Sequence, residues 1–454
     1  MSENTTPAEF DAALPSGGVS TPPGSVSAAN SVTGYAPNTP LQEYHWYMGG
    51  QAMFFASGGI GFVLGQWIIA FYLREPPEVM GLAMMIMSLP QLLFILFGGL
   101  AADRLELRAH LLRMQALMMI PMLAIAAVIM AGELTVVVLV AVNFVGAIFA
   151  AFVQPARDSL LSRVTANLEH ISIQQAITTA NMLQFGAQIF GILMVMAVAI
   201  VGPVSLIFMQ AFLYLMGIYA TARLSVSPAP AREESDSHWF SLMFSEVYDG
   251  LKISFSSPEI RPVMLWVLSS GFIVMGTFMI YLPLIVRDVF DGDAMELTIM
   301  MTCFFSGVTI CSRLLSRFGN FKFQGRALLI AQTCSACIML AVSQNETVLV
   351  FFALVFCWGL SAAVSMSMTR SIIQQAAPES HRARILSVFM LCMFGGSPVG
   401  SLIGGYLAKH YGPLDAMLIS MVGSLTMILT FAIFSSLWMM KSNPMDYDDE
   451  KMAD

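Results

Sequence analysis

Twelve apolar segments, each near twenty residues, follow one another along this 454-residue chain, and that recurrence leaves few folds open. They fall at about 46–73, 79–101, 111–131, 134–156, 172–200, 203–222, 261–286, 296–315, 327–344, 347–369, 385–408 and 414–440. A bilayer core about 30 Å thick needs ~20 apolar residues per helix. Inside it every backbone N–H and C=O must be satisfied within the protein, which favours helices. Apolar residues make up 57% of the chain and charged residues 11%, where a soluble domain carries about 25%. The expectation is an all-α polytopic membrane protein with twelve transmembrane helices.

The two halves repeat. At an offset of 213 residues Asp103-Arg104 meets Ser316-Arg317, Arg157 meets Arg370 and Gly191 meets Gly404. The chain therefore reads as two pseudo-symmetric six-helix halves, 44–223 and 260–440. Between them, 224–259 opens with Pro228 and Pro230 and a charged run, Arg232 to His238. It continues with apolar residues at spacings of three and four, from Trp239 through Phe244, Tyr248 and Leu251 to Phe255. That pattern predicts an amphipathic helix on the membrane surface. The tails, 1–43 and 441–454, are polar; the first lacks Lys and Arg, carries no secretory-signal pattern and is expected to be disordered.

Basic residues set the orientation. With both termini on the cytoplasmic side, 18 of the 21 Lys and Arg fall on that side, leaving only Arg74, Arg287 and Lys409 opposite. Such a bias predicts a multi-pass protein of the cell (inner) membrane with both termini inside. All six cysteines lie in apolar segments of the second half, so no disulfide framework is expected.

The sharpest local signal joins segments 2 and 3: Gly98-Gly99-Leu-Ala-Ala-Asp103-Arg104-Leu-Glu-Leu-Arg108. It resembles the signature of the major facilitator superfamily, Gly-x-x-x-Asp-Arg-x-Gly-Arg-Arg/Lys. Gly99, Asp103, Arg104 and Arg108 match, while Glu106 and Leu107 replace the Gly-Arg pair. The second copy keeps Arg317 but has Ser316 where the acid would stand. Phe152-Val-Gln-Pro-Ala-Arg157-Asp158, Gly250-Leu-Lys-Ile before Ser257-Pro258, and Pro378-Glu-Ser-His-Arg382-Ala-Arg384 are similar to the branch that includes enterobactin and macrolide exporters. The resemblance spans about 44–440. It implies the major facilitator fold, and a cytoplasmic gate latched by Asp103 against the segment starting near Arg384. Arg104 or Arg108 would pair with Asp158. Segment 5 lacks the Gly-Pro motif that many of the superfamily's exporters carry. The glycine-rich run is in segment 11 instead, Gly395 to Gly405, and reads as a hinge or as close packing.

No Asp, Glu, Lys, Arg or His falls inside a predicted helix core, which argues against a strongly ionic substrate and leaves only border carboxylates for coupling. Candidate substrate contacts are Gln51, Gln66, Asn143, Trp266, Tyr281 and Trp358, together with Asn181, Gln184 and Gln188 on one face of segment 5. The resemblance makes segments 1, 4, 7 and 10 the cavity walls. Expected partners are a small molecule, a candidate coupling proton and the lipid bilayer, with no nucleic acid, metal or cofactor, in a monomer. No Gly-x-x-x-x-Gly-Lys-Ser/Thr occurs, so ATP is not expected to supply the energy. These features point to an alternating-access exporter of amphipathic or lipophilic compounds rather than an enzyme. An importer or facilitator of a neutral metabolite is the alternative. A copper importer using Met275 and Met279, and a membrane sensor that does not transport, are more remote.

Overall fold

The structure is a computed structural model describing residues 39–166, 168, 171, 173–225, 239–318, 321, 323–344, 347–378 and 382–440. Among them ten helical runs are long and apolar enough to cross a membrane. Two of the ten, Gln175–Ala222 and Arg384–Phe434, are 48 and 51 residues long, about twice what a bilayer needs. Each is broken at a glycine followed by proline: Gly202 (φ 77°, ψ 162°) and Gly412 (φ 78°, ψ 164°). That region of backbone space is open to glycine alone, and the proline behind it cannot continue the preceding helix. Counted as hairpins, the two double runs are consistent with twelve spans.

In chain order α1 is Pro40–Trp67, extended by a π-turn Ile68–Tyr72; α2 is Pro77–Arg104, α3 Leu107–Ala131 and α4 Val136–Thr165. The hairpin α5–α6 starts with Ile173–Met194, breaks at Gly202 and ends at Ala222. The linker helix α7 is Trp239–Ser256. Next come α8, which begins as Ile260–Gly276 and ends in π-turns Thr277–Tyr281 and Ile285–Val289, then α9 (Ala294–Phe318), α10 (Gln324–Ser343) and α11 (Val348–Ala376). The last hairpin, Arg382–Phe434, divides at Gly412 into α12 (382–411) and α13 (413–434).

The start of α12 meets the linker helix, and the chain after α13 meets the turn that follows that helix. Arg384 faces Asp249 at 3.9 Å, and the Ser436 hydroxyl donates to the Pro258 carbonyl at 3.3 Å. This defines a linker face, with the turns at Arg74, Gly202 and Gly412 on the far face. The duplication is visible in fine detail there. Leu73 N–H bonds Ile68 O and Glu75 N–H bonds Ile69 O; Phe290 and Gly292 repeat both bonds to Ile285 and Val286. Arg74 and Asp291 repeat a left-handed residue, at φ 49° and 48°. Here the offset is 217 residues, against 213 for Arg157 and Arg370.

Two helix pairs form the seam between the halves, α2 with α12 and α5 with α9. Glycine sets the closeness of the first. A Cβ on Gly405 would lie 2.6 Å from Pro77 O and 2.8 Å from Gly81 Cα.

Helix ends differ from the expectation in a way that matters. α4 runs to Thr165 and α11 to Ala376, well past the predicted ends at 156 and 369. A hydropathy boundary stops at the first charge, but the helices continue past Arg157, which is buried, and past Arg370, which is exposed. The expectation that no ionisable group lies within a helix core is therefore corrected for Arg157, which is 2% exposed within α4; His110 is buried too, at the first turn of α3.

Candidate functional site

The far end of the seam is shut. Lys409 Nζ of α12 meets Glu78 Oε1 of α2 at 3.1 Å. Arg287, at the end of α8, donates from Nη1 to Ala70 O (3.0 Å) and Glu75 O (2.8 Å) in the other half, while its Nε holds Asp288 at 2.6 Å. Thus two of the three basic residues that break the charge bias clasp the halves together. A depression of about 560 Å³, lined by Arg74, Arg287, Asp288 and Asp291, lies over this end.

Beneath the clasp, α1 and α8 touch through Gln66, whose Nε2 donates to Met279 Sδ at 3.5 Å. Gln66 is 2% exposed and its Oε1 is buried with no partner. Next comes an aromatic layer. Phe62 stacks on Phe278 (6.0 Å between centroids, 27°) and meets Phe305 edge-on (6.2 Å, 80°). Trp358 of α11 lies 5.8 Å from Phe278 and 4.8 Å from Phe304. Aromatic rings at such separations add about 0.5–1.5 kcal/mol per pair beyond their burial. Four elements from both halves, α1, α8, α9 and α11, thus converge on one apolar roof. Behind Trp358, inside the second half, a cavity of about 20 Å³ is lined by Thr277, Gln332, Ser335 and Ser424, room for one water.

Toward the linker face lies a buried cation. Arg157 Nη1 donates to Gln51 Oε1 (2.9 Å), Nη2 reaches Gly50 O (3.4 Å), and the guanidinium sits 4.2 Å over the Phe54 ring. Tyr47 Oη donates to the Arg157 carbonyl at 3.0 Å. Burying a charge away from water costs free energy unless it is well hydrogen-bonded. The charged hydrogen bonds and the ring face offset that cost without a carboxylate. Asp158, the next residue, is exposed; it accepts from Gln154 Nε2 at 3.0 Å and feels the charge of Arg370 from α11.

The remaining candidates separate. Gly99, Asp103, Arg104 and Arg317 lie outside the described side chains. Arg108 does not meet Asp158 as expected; its Nη2 donates to Ala222 O at 2.6 Å, at the C-terminal end of α6. Arg384 pairs with Asp249 of the linker helix. Asn143 Nδ2 bonds Leu139 O on its own helix. Trp266 packs edge-on against Phe431 in the core of the second half, and Tyr281 bonds Ser420 at 2.9 Å. On α5, Asn181 is exposed and Gln184 and Gln188 are half-buried, without side-chain hydrogen bonds among the described residues. Only Gln66 and Trp358 join the roof. Sequence reasoning missed Phe62, Phe278, Phe304 and Phe305 because 32 phenylalanines give no sign of which will converge. It also missed Glu78 and the clasp, although Arg287 and Lys409 stood out as exceptions to the charge bias.

A family model described as transmembrane secretion effector (MFS_3) matches residues 59–452. The chain belongs to the major facilitator superfamily. It is a membrane transporter family, not an enzyme family. No curated protein matches the sequence. The fold is similar to several solved transporters. The nucleoside transporter NupG is 12% identical (TM-score 0.64, 87% of this chain and 98% of that one). A POT family transporter in complex with 5-aminolevulinic acid is 11% identical (0.66, 87% and 96%). A bacterial homologue of the human lysosomal transporter Spinster is 13% identical (0.60, 89% and 97%). At these identities the likeness concerns the fold.

Proposed function

We propose that this superfamily member exports small amphipathic or lipophilic compounds by alternating access. The observation that carries the reading is the closed far end of the seam with its roof of Phe62, Phe278, Phe304, Phe305 and Trp358. The half-buried Phe62, Phe304 and Phe305 offer π-faces and apolar area to a flat or greasy solute, backed by the buried Phe278 and Trp358. The resemblance to the exporter branch supports the direction. A second reading, an importer or facilitator of a neutral metabolite, is favoured by the unpartnered Gln66 Oε1, which suits a hydrogen-bonding solute.

The test is accumulation of lipophilic dyes and antibiotics in cells with and without the protein, each with and without a protonophore. Export predicts lower accumulation that the protonophore abolishes; unchanged or raised accumulation favours the second reading. Asp103→Ala, by removing the proposed gate latch, is expected to leave the purified protein folded while turnover falls at least tenfold. Full activity in that variant rejects the latch.

A further inference from the structure

We propose that Glu78 and Lys409 form a proton-operated lock on the far face, so that acid on that side favours opening; this rests on the alternating-access reading. Among the described residues theirs is the one side-chain ion pair joining the two halves. It stands one helical turn from a close backbone approach in the seam. Glu78 precedes Gly81 by three residues, Lys409 follows Gly405 by four, and those glycines are in contact. Whatever parts the far ends of α2 and α12 must break this pair first.

The chemistry of the clasp is asymmetric. Arg287 holds backbone carbonyls of the other half, which do not titrate. Glu78 can. Its Oε1 takes the Lys409 ammonium, and a proton on the carboxyl cancels the charge that holds it. Protonation forms an O–H bond on that carboxyl with a proton from far-side water and removes the carboxylate charge. Lys409, no longer paired, turns to solvent. On reclosing, the proton returns to the same side, so the lock gates the transporter without moving charge across it.

The titratable and charged neighbours are few. On α12 they are Lys409 and His410, whose ring meets Tyr406 edge-on at 4.4 Å and which lies near enough to act electrostatically on Glu78. From the ends of α1 and α8, Arg74, Glu75, Arg287 and Asp288 lie around the same face. The α2 N-terminus favours the ionised carboxylate, so the lock is closed near neutrality. Both partners are partly exposed, so the effect is small: opening shifts by about threefold, the scale of such a pair.

Spin labels carried by non-natural residues at exposed positions 82 and 406 would report the far-end separation of the full chain in proteoliposomes. This leaves the six native cysteines unlabelled. The native chain should show about threefold more of the separated population at about pH 3 than at pH 8, the change falling at about pH 4 where a carboxylate takes up its proton. Glu78→Gln and Lys409→Met should show the higher level at both. The exchanged pair, Glu78→Lys with Lys409→Glu, should restore closure at pH 8 and acid opening. A native distribution that ignores pH, a Glu78→Gln chain that keeps the native response, or loss of the response in His410→Gln alone overturns the lock. Because distance is read without substrate, a lock that behaves as expected in a protein that moves no compound would reject the transport reading instead.

Discussion

Arg157 shows how one residue changes the account of a membrane interior. Its charge lies under α1, held by Gln51, Gly50 and Phe54. Removing one partner of a buried hydrogen bond leaves the other unsatisfied at ~1–3 kcal/mol. Arg157→Met should therefore lower thermal stability in detergent by about that amount. Arg157→Lys should recover part of the loss, since an ammonium lacks the planar fork and its stacking. Gln51→Leu combined with Arg157→Met should recover more than Lys does, because the unsatisfied acceptor is gone too; additive losses in the double variant argue against the pairing. Trp358 belongs to the same scale. Trp358→Ala should raise the KM for aromatic substrates about tenfold while Trp266→Phe, in the core of the second half, leaves KM unchanged, measured as initial transport rates. Equal effects on KM would remove Trp358 from the roof.

At the scale of elements, the hairpin turns and the π-turns carry the duplication better than the apolar segments do. Gly202 and Gly412 have open space where a Cβ would go, so only the backbone conformation demands glycine. Gly412→Ala should cost about 1–3 kcal/mol through that strain alone. Gly423→Ala, also in open space but at ordinary helical φ, should be neutral or stabilising by up to ~1 kcal/mol. Melting curves of the two variants decide it; similar midpoints would mean the turn tolerates a side chain. The Gly-Pro turns were readable as segment ends, which is why the predicted boundaries at 200/203 and 408/414 bracket both. The ends of α4 and α11 were not, because hydropathy sees only a residue's own polarity. Arg157 is accommodated by Gln51, more than a hundred positions earlier in the chain.

For the whole molecule, the seam decides what the halves can do. Its far end is joined by two kinds of contact, the Gly81–Gly405 approach and the Lys409 and Arg287 clasps. Gly405→Val would drive its side chain into Pro77 O and Gly81, so the far ends should separate and remain apart. The expected result is a protein that still melts cooperatively but loses transport by more than tenfold, with the far ends held apart in the distance measurement. Normal transport would show that the seam does not need to close. The sequence by itself determined the membrane class, the doubling into two halves, the linker helix and the biased charge. Those follow from transfer energies and periodicity, which are properties of local stretches. Only the tertiary structure decided which of many phenylalanines form the roof, that Arg157 is buried, that Arg108 turns to α6 rather than Asp158, and that Glu78 finds Lys409. Each depends on residues far apart in the chain meeting across helices, and no local property of either partner encodes that meeting.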